Sequence, residues 1–212
     1  MQVTRILAVR HGETEWNRDT RIQGHTDIGL NGRGRRQAEL LAQSLRDEPI
    51  AAFYASDLSR ALETAQAVAR ARGQTVATHT GLRERAFGRF EGQTWADLEA
   101  RWPEDALSWR KRVPDFVPAG GESLLQLRER VIATVEELAA RHPGEQVMMV
   151  AHGGVLDILY RAATRLDLQA PRSWVMTNTA VNRLLWSPEG LSLVGWADTS
   201  HLQDASLDES TT

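Results

Sequence analysis

Cysteine is absent from this 212-residue chain. That excludes disulfides, thiolate-bound metals and a cysteine nucleophile. Long apolar runs are missing too. Nothing approaches the ~20 residues that a membrane span needs, and no membrane partner is expected. Positive charge is not in excess, since the net charge is −3. No global field therefore draws in nucleic acid, although arginine far outnumbers lysine and local basic clusters stay open. There is no His-Glu-x-x-His pair, no Walker glycine loop and no clustered aspartate set. Met1-Gln2-Val3-Thr4-Arg5 leads into an apolar stretch too short for the core of a secretion signal, and the expected location is the cytoplasm.

The remaining composition is that of a globular protein, 42 % hydrophobic and 25 % charged. A chain this long most simply makes one domain and buries roughly 70 % of its unfolded surface. Residues 3–10 read as a buried strand and 32–46 as a helix, with Ala38, Leu41, Ala42 and Leu45 on one face. Ile50–Ala55 reads as a second strand. Ser56 and Asp57 are the expected caps of the next helix, which Gly73 ends. Thr75–Thr80 is a weaker strand. A long helix is expected from about Glu122 to Arg141, then a strand at Gln146–Ala151 and a helix at Val155–Arg165. Ala180–Trp186 and Leu191–Trp196 read as a hairpin turned at Pro188-Glu189-Gly190. This alternation predicts an α/β fold, three layers deep, with a mostly parallel central sheet.

Residues 82–120 are the least regular. Trp95, Trp102 and Trp109 recur there every seventh residue and Pro103 interrupts them. Two short helices are expected, as a substrate-covering insert in a single domain of residues 1–200. Residues 201–212 are expected to be a polar, frayed tail. His79, His142 and His201 are read as surface residues.

Two apolar runs end in histidine. Ile6-Leu7-Ala8-Val9 precedes Arg10-His11-Gly12, and Val147-Met148-Met149-Val150-Ala151 precedes His152-Gly153-Gly154. In parallel sheets the carboxyl ends of strands share one edge, where ligands bind. Neutral imidazole is a competent nucleophile at phosphorus. Arg10 beside it suits two phosphate oxygens, and nearby cations disfavour imidazolium. Arg60 falls in the first turn of a helix, where anions are attracted. Glu84 could protonate a leaving oxygen and then activate water. Taken singly, each also fits an ordinary structural role: a histidine bonded to backbone, a solvated arginine, or a glutamate paired with Arg83 or Arg85.

Together they are more specific. Arg10-His11-Gly12-Glu13-Thr14 with Asn17, Gln23-Gly24 with Asp27, and Leu30-Asn31-Gly32-Arg33-Gly34 with Gln37-Ala38 form one group. Ser56-Asp57-Leu58 with Arg60-Ala61 and Thr64-Ala65, and Leu82-Arg83-Glu84 with Gly88 and Glu91-Gly92, form another. Gly121-Glu122-Ser123 and His152-Gly153-Gly154 complete the set. With these motifs the chain resembles the histidine phosphatase superfamily, the phosphoglycerate-mutase-like fold, over most of residues 3–187. The resemblance implies His11 as phosphoryl carrier, Arg10, Arg60 and His152 as its cationic pocket, and Glu84 as proton donor and acceptor. It implies Asn17, Gln23, Gly24 and Gly153 around the phosphate, with no metal and no cofactor.

Both phosphatases and mutases use this core. Mutases of the main type carry a longer segment between the glutamate and the Gly-Glu-Ser than Arg85–Gly121 here. A shorter cover favours hydrolysis, so a metal-independent phosphomonoesterase acting on small phosphorylated metabolites is expected. A phosphoglycerate mutase is the alternative, and a non-catalytic phosphate-binding regulatory domain a more distant one. Trp109-Arg110-Lys111-Arg112 resembles the basic stretch with which mutases hold a substrate carboxylate, and Arg110 is taken from it as a substrate contact beside Arg83. Trp95 and Trp102 either wall the pocket or sit in the core. The role of His25 is open. Oligomeric state is not readable, and a homodimer is compatible with the pattern.

Overall fold

The structure is a computed structural model that describes residues 2–203. Its centre is a six-stranded sheet in the order β3-β2-β4-β1-β5-β6. β1 (Thr4–Arg10), β2 (Ala52–Ala55), β3 (Val76–Thr78) and β4 (Gln146–Ala151) run parallel. β5 (Val181–Ser187) and β6 (Gly190–Asp198) are antiparallel additions at one side. β1 and β4 lie at the middle and are apolar on both faces, as strands covered on both sides must be.

Alternation along β1 divides the core. Leu7 and Val9 point to one face, where α2 (Gly32–Ser44) and α3 (Ser59–Arg70) pack through Leu41, Ala42, Ala61, Ala65 and Val68. Ile6 and Ala8 point to the other, against α6 (Leu124–Ala139) and α7 (Gly153–Thr164) through Leu127, Val131, Val135, Val155 and Leu159. The result is the expected three-layer α/β/α arrangement with a mostly parallel sheet. Short α1 (Glu15–Arg18) lies in the loop after β1.

Residues 87–116 carry a third, separate apolar cluster. Phe90, Leu98 and Ala106 form its centre, with Trp95, Trp102, Trp109 and Phe116 packed around them. The two expected short helices are α4 (Trp95–Arg101) and α5 (Pro103–Arg110), with Pro103 opening the second, a position that tolerates proline. Trp95 and Trp102 therefore belong to a small core, while the Trp109 ring stacks on Phe87 at 4.8 Å and reaches the pocket wall.

Several expectations need correction. Neither Ser56 nor Asp57 caps α3. Leu58 holds the cap position with no side-chain bond, and Asp27, 32 residues earlier, accepts from both Ser59 N (2.8 Å) and Ser59 Oγ (2.7 Å). Asp57 instead binds Arg83. The long helix starts later than expected, because Ser123 and Gln126 form a reciprocal capping box ahead of Leu124. Residues 201–203 are helical rather than frayed, and His201 is buried, its Nε2 3.2 Å from Thr179 Oγ1. Residues 204–212 of the expected tail lie outside the described residues. His142 is also not free at the surface, lying between Tyr54 Oη (2.8 Å) and Glu145 (2.8 Å).

Candidate active site

The sheet register brings the two histidines together. Arg10 lies opposite Ala151 in the parallel β1–β4 pair, so the next residues, His11 and His152, leave the same sheet edge side by side. Their ring centroids are 5.2 Å apart and both side chains are buried. His11 Nδ1 sits 2.7 Å from the Gly12 carbonyl. A carbonyl only accepts, so Nδ1 carries the hydrogen and, in the neutral ring, Nε2 holds the free lone pair. Burial pushes His11 well below its ordinary pKa of 6.5, and the Arg60 and Arg10 charges push it further, against the Gly12 bond. His11 is thus held as neutral imidazole. Gly12 is required by crowding: a Cβ there would stand 2.5 Å from the Gly34 carbonyl oxygen.

Arg10 and Arg60 flank this ring, and among the described residues their side chains hydrogen-bond only to carbonyls. Arg10 Nη1 donates to Met176 O (2.5 Å). Arg60, fully buried at the second residue of α3, donates to Thr26 O (3.0 Å) and Gly24 O (2.7 Å). Burial lowers the pKa of both, Glu84 opposing it. Arg10 Nε, Arg60 Nε and both nitrogens of His152 are buried with no hydrogen-bond partner among the described residues. Buried polar atoms are ordinarily satisfied, so the idle Nε–H groups of Arg10 and Arg60, with the one N–H of a neutral His152 ring beside His11, suit an anion with several oxygens.

Asn17, Gln23 and Gly24 line the same cavity of about 170 Å³, with Arg10, His11 and Arg60. Thr14 fixes both amides. Its N–H donates to Asn17 Oδ1 (3.2 Å), and its hydroxyl donates to Gln23 Oε1 (3.0 Å). With their oxygens engaged, both side chains keep NH2 groups for a ligand. Gly24 has φ +56°, and a Cβ there would meet the Glu91 carboxylate at 2.1 Å. Glu91 accepts from His25 N, Thr26 N, Thr26 Oγ1 and Phe87 N, tying this loop to the insert.

Glu84 reaches across to α7. Both its oxygens accept from Gly154 N, at 3.0 and 3.1 Å, and Oε1 also accepts from Arg85 N at 2.7 Å. The carboxyl group thus sits at the N-terminus of a twelve-residue helix, where the dipole favours it. A Cβ on Gly154 would stand 2.2 Å from Glu84 Oε1. Gly154, rather than Gly153 alone, is therefore the second functional glycine of that turn. Gly153 lines the wider cavity beside it.

That wider cavity, about 260 Å³, opens from Glu84 outward. Its wall carries Arg85, Arg112 and Arg172, with Phe87, Trp109 and Met176 as apolar surface. Asp157 is buried and faces three guanidinium groups: Arg112 at 2.6 Å, Arg161 at 3.0 Å and Arg172 at 3.1 Å. Arg85 bonds to the carbonyls of Glu122 and Phe116, and burial lowers its pKa to about 10.

Two expected substrate contacts fall elsewhere. Arg110 turns outward, pairs with Glu99 and covers Trp95 at 5.1 Å. α5 ends at Arg110, and Arg112 adopts φ +53°, so the chain turns and Arg112 faces the cavity instead. Arg83 is held two-pronged by Asp57, at 2.7 and 2.5 Å, outside both cavities. His25, whose role was open, lies 2.8 Å through Nε2 from the Glu84 carbonyl and supports that loop. Among the described residues no group of three or more His, Asp or Glu is placed to hold a metal ion, and no helix is long and apolar enough to cross a membrane.

Comparison with known proteins identifies the family. The family model of the histidine phosphatase superfamily (branch 1) matches residues 6–199. The chain belongs to that superfamily. Phosphoglycerate mutase-like protein 4 of Arabidopsis thaliana is 37 % identical, over 94 % of this chain and 87 % of its own length. The metal-independent phosphoserine phosphatase of the same plant is also 37 % identical, over 95 % and 84 %. The solved structure of a mycobacterial glucosyl-3-phosphoglycerate phosphatase superposes with a TM-score of 0.82 at 32 % identity, over 94 % of this chain and 100 % of that one. The chain is an enzyme of the phosphatase type, with mutase chemistry the alternative on the same fold.

Proposed function

We propose that this protein hydrolyses small phosphate monoesters that also carry a carboxylate, through a phosphohistidine at His11. The observation that carries the reading is the neutral His11 ring with Nε2 free, set among guanidinium groups that no carboxylate binds directly. In the first step Nε2 attacks phosphorus in line. The P–N bond forms as the ester P–O bond breaks, and Glu84, as the acid, gives its proton to the leaving oxygen. The positive charge on the phosphorylated ring is shared with the Gly12 carbonyl through Nδ1–H. In the second step Glu84, now a carboxylate, takes a proton from water while the water oxygen attacks phosphorus. The P–N bond breaks, and inorganic phosphate and neutral His11 result. Arg10, Arg60, His152, Asn17, Gln23 and the Gly153 turn supply positioning and charge for the transferring group, the main resource of phosphoryl transfer.

The carboxylate is read from the outer cavity, where Arg85, Arg112 and Arg172 outnumber Asp157. Relatives named for phosphoserine and glucosyl-3-phosphoglycerate support that choice. Residues 82–120 act as the cover of a single catalytic domain in this reading. On the same reading the enzyme works in the cytoplasm on small metabolites, without nucleic-acid or membrane partners. Phosphoglycerate mutation is the second reading, favoured by the names of several relatives.

The test is direct. Wild-type protein should release phosphate from p-nitrophenyl phosphate and form an acid-labile phosphoenzyme, and His11→Ala should lose both. An active His11→Ala variant sinks the mechanism. With 3-phosphoglycerate, phosphate release should outrun formation of 2-phosphoglycerate, and the reverse order makes the protein a mutase.

A further inference from the structure

The segment between α7 and β5 grips the Arg10-His11 dipeptide at three points. Arg10 Nη1 donates to Met176 O, Thr179 N donates to Arg10 O at 2.9 Å, and Asn178 Nδ2 donates to His11 O at 2.8 Å. The grip is anchored on both flanks. Trp174 stacks on Tyr160 at 4.0 Å, and Trp196 Nε1 donates to Val175 O at 2.8 Å. Thr179 is fully buried beside His201 with φ +59°, a region a β-branched residue rarely adopts. Surrounding structure must hold such a residue in place, and strained residues of this kind concentrate at functional sites.

Asn178 does two things at once. Besides His11 O, its amide reaches Asn17 Oδ1 at 3.4 Å. Thr14 N also donates to that oxygen. Both contacts to Asn17 Oδ1 come from N–H groups, and the His11 carbonyl can only accept. The orientation of both amides is therefore fixed by chemistry. Asn17 is left with its NH2 toward the phosphate cavity that it lines.

We infer that Asn178 is a positioning residue of the phosphoryl site: one amide pins the His11 carbonyl and turns Asn17 so that it presents donors to phosphate. The idea rests on the phosphohistidine reading above but concerns a residue outside its machinery. Asn178→Asp places an acceptor against two acceptors, so it should repel the His11 carbonyl and reverse the Asn17 amide. Asn178→Ala only deletes the link.

The experiment compares wild type, Asn178→Ala, Asn178→Asp, Asn17→Ala and the double variant Asn17→Ala/Asn178→Asp with p-nitrophenyl phosphate. Thermal stabilisation by inorganic phosphate reports folding and binding separately from turnover. Misplacement of a reacting group by about 1 Å can cost ~100-fold. Asn178→Asp should therefore lower kcat about 100-fold and Asn178→Ala about tenfold. The Asp substitution should cost several-fold less when Asn17 is already Ala, since coupled residues are not additive. Should Asn178→Asp fail to fold, the Asn178→Ala kcat and its coupling to Asn17→Ala decide instead. Activity of Asn178→Ala within twofold of wild type, or simple multiplication of the two losses, overturns the inference. Lack of turnover by wild type would instead overturn the phosphatase reading.

Discussion

The inner and outer cavities are both rich in arginine, yet they differ in how much of that charge is cancelled. Around His11, Arg10 and Arg60 are held by carbonyl oxygens alone. Carbonyls fix a guanidinium in space and leave its charge uncancelled. In the outer cavity Arg85 is likewise held by the carbonyls of Glu122 and Phe116, but Arg112 and Arg172 lean on the carboxylate of Asp157, which cancels part of their charge. Beyond the cavity walls the cations are paired outright: Arg83 with Asp57, Arg89 with Asp105, Arg110 with Glu99. Uncancelled charge therefore falls from His11 outward. A dianionic phosphate belongs at the inner end and a monoanionic group at the outer one.

The junction between the two regions is Glu84 on Gly154, and breaking it should have the largest effect. In Gly154→Ala the new Cβ would overlap Glu84 Oε1, the far end of a flexible side chain, while Leu127 at 3.5 Å is an ordinary contact. The protein should fold and Glu84 should swing away. General acid catalysis contributes typically ~10²–10⁴-fold. Hydrolysis of alkyl phosphates should fall by about 100-fold or more, and that of p-nitrophenyl phosphate, whose leaving group needs little proton help, far less. Equal losses on both substrates would remove Glu84 from the acid role.

The inner region makes a second demand. His11 and His152 are buried, and burial, ahead of the arginines, sets their pKa below 6.5. Between the native and unfolded values the unfolded chain binds more protons, so stability rises with pH across that window. Wild-type stability should therefore decline as pH falls below about 6.5, and the NMR titration of His11 should show a neutral ring at that pH. A half-protonated His11 at pH 6.5 would mean that neither burial nor the inner cations act on it.

How much of this was legible in the sequence follows the same division. His11, His152 and Arg10 stand at the ends of regular apolar strands, so periodicity located them. Arg60 had only its place in the first turn of a helix and Glu84 only its residue type, and the family resemblance set both apart from ordinary surface residues. Asn178 and Arg172 lie in an irregular stretch with no period to read, and Asp157 sits among core positions of α7. The α3 cap comes from Asp27, a tertiary contact no local rule finds. Gly154 was visible as a glycine, but its reason is the carboxylate packed against it.

The choice between Arg110 and Arg112 gives the smallest and sharpest test. Sequence places both in one basic run. The fold separates them by one left-handed residue at the end of α5. Arg110 is 60 % exposed on its side chain and paired with Glu99. Exposed pairs contribute at most about 1 kcal/mol, so Arg110→Ala should leave kcat/KM within about twofold on every substrate. Arg172 is the cleaner probe of the outer cavity, because it is the more exposed partner of Asp157, whereas Arg112 is more buried against that carboxylate and its loss would disturb a buried pair as well as the cavity. Hydrogen bonds to charged groups are worth ~1.5–3 kcal/mol. Arg172→Ala should thus raise KM about tenfold for phosphate esters bearing a carboxylate and leave p-nitrophenyl phosphate unchanged. If Arg110→Ala and Arg172→Ala shift selectivity equally, the outer cavity is not where the second anion binds.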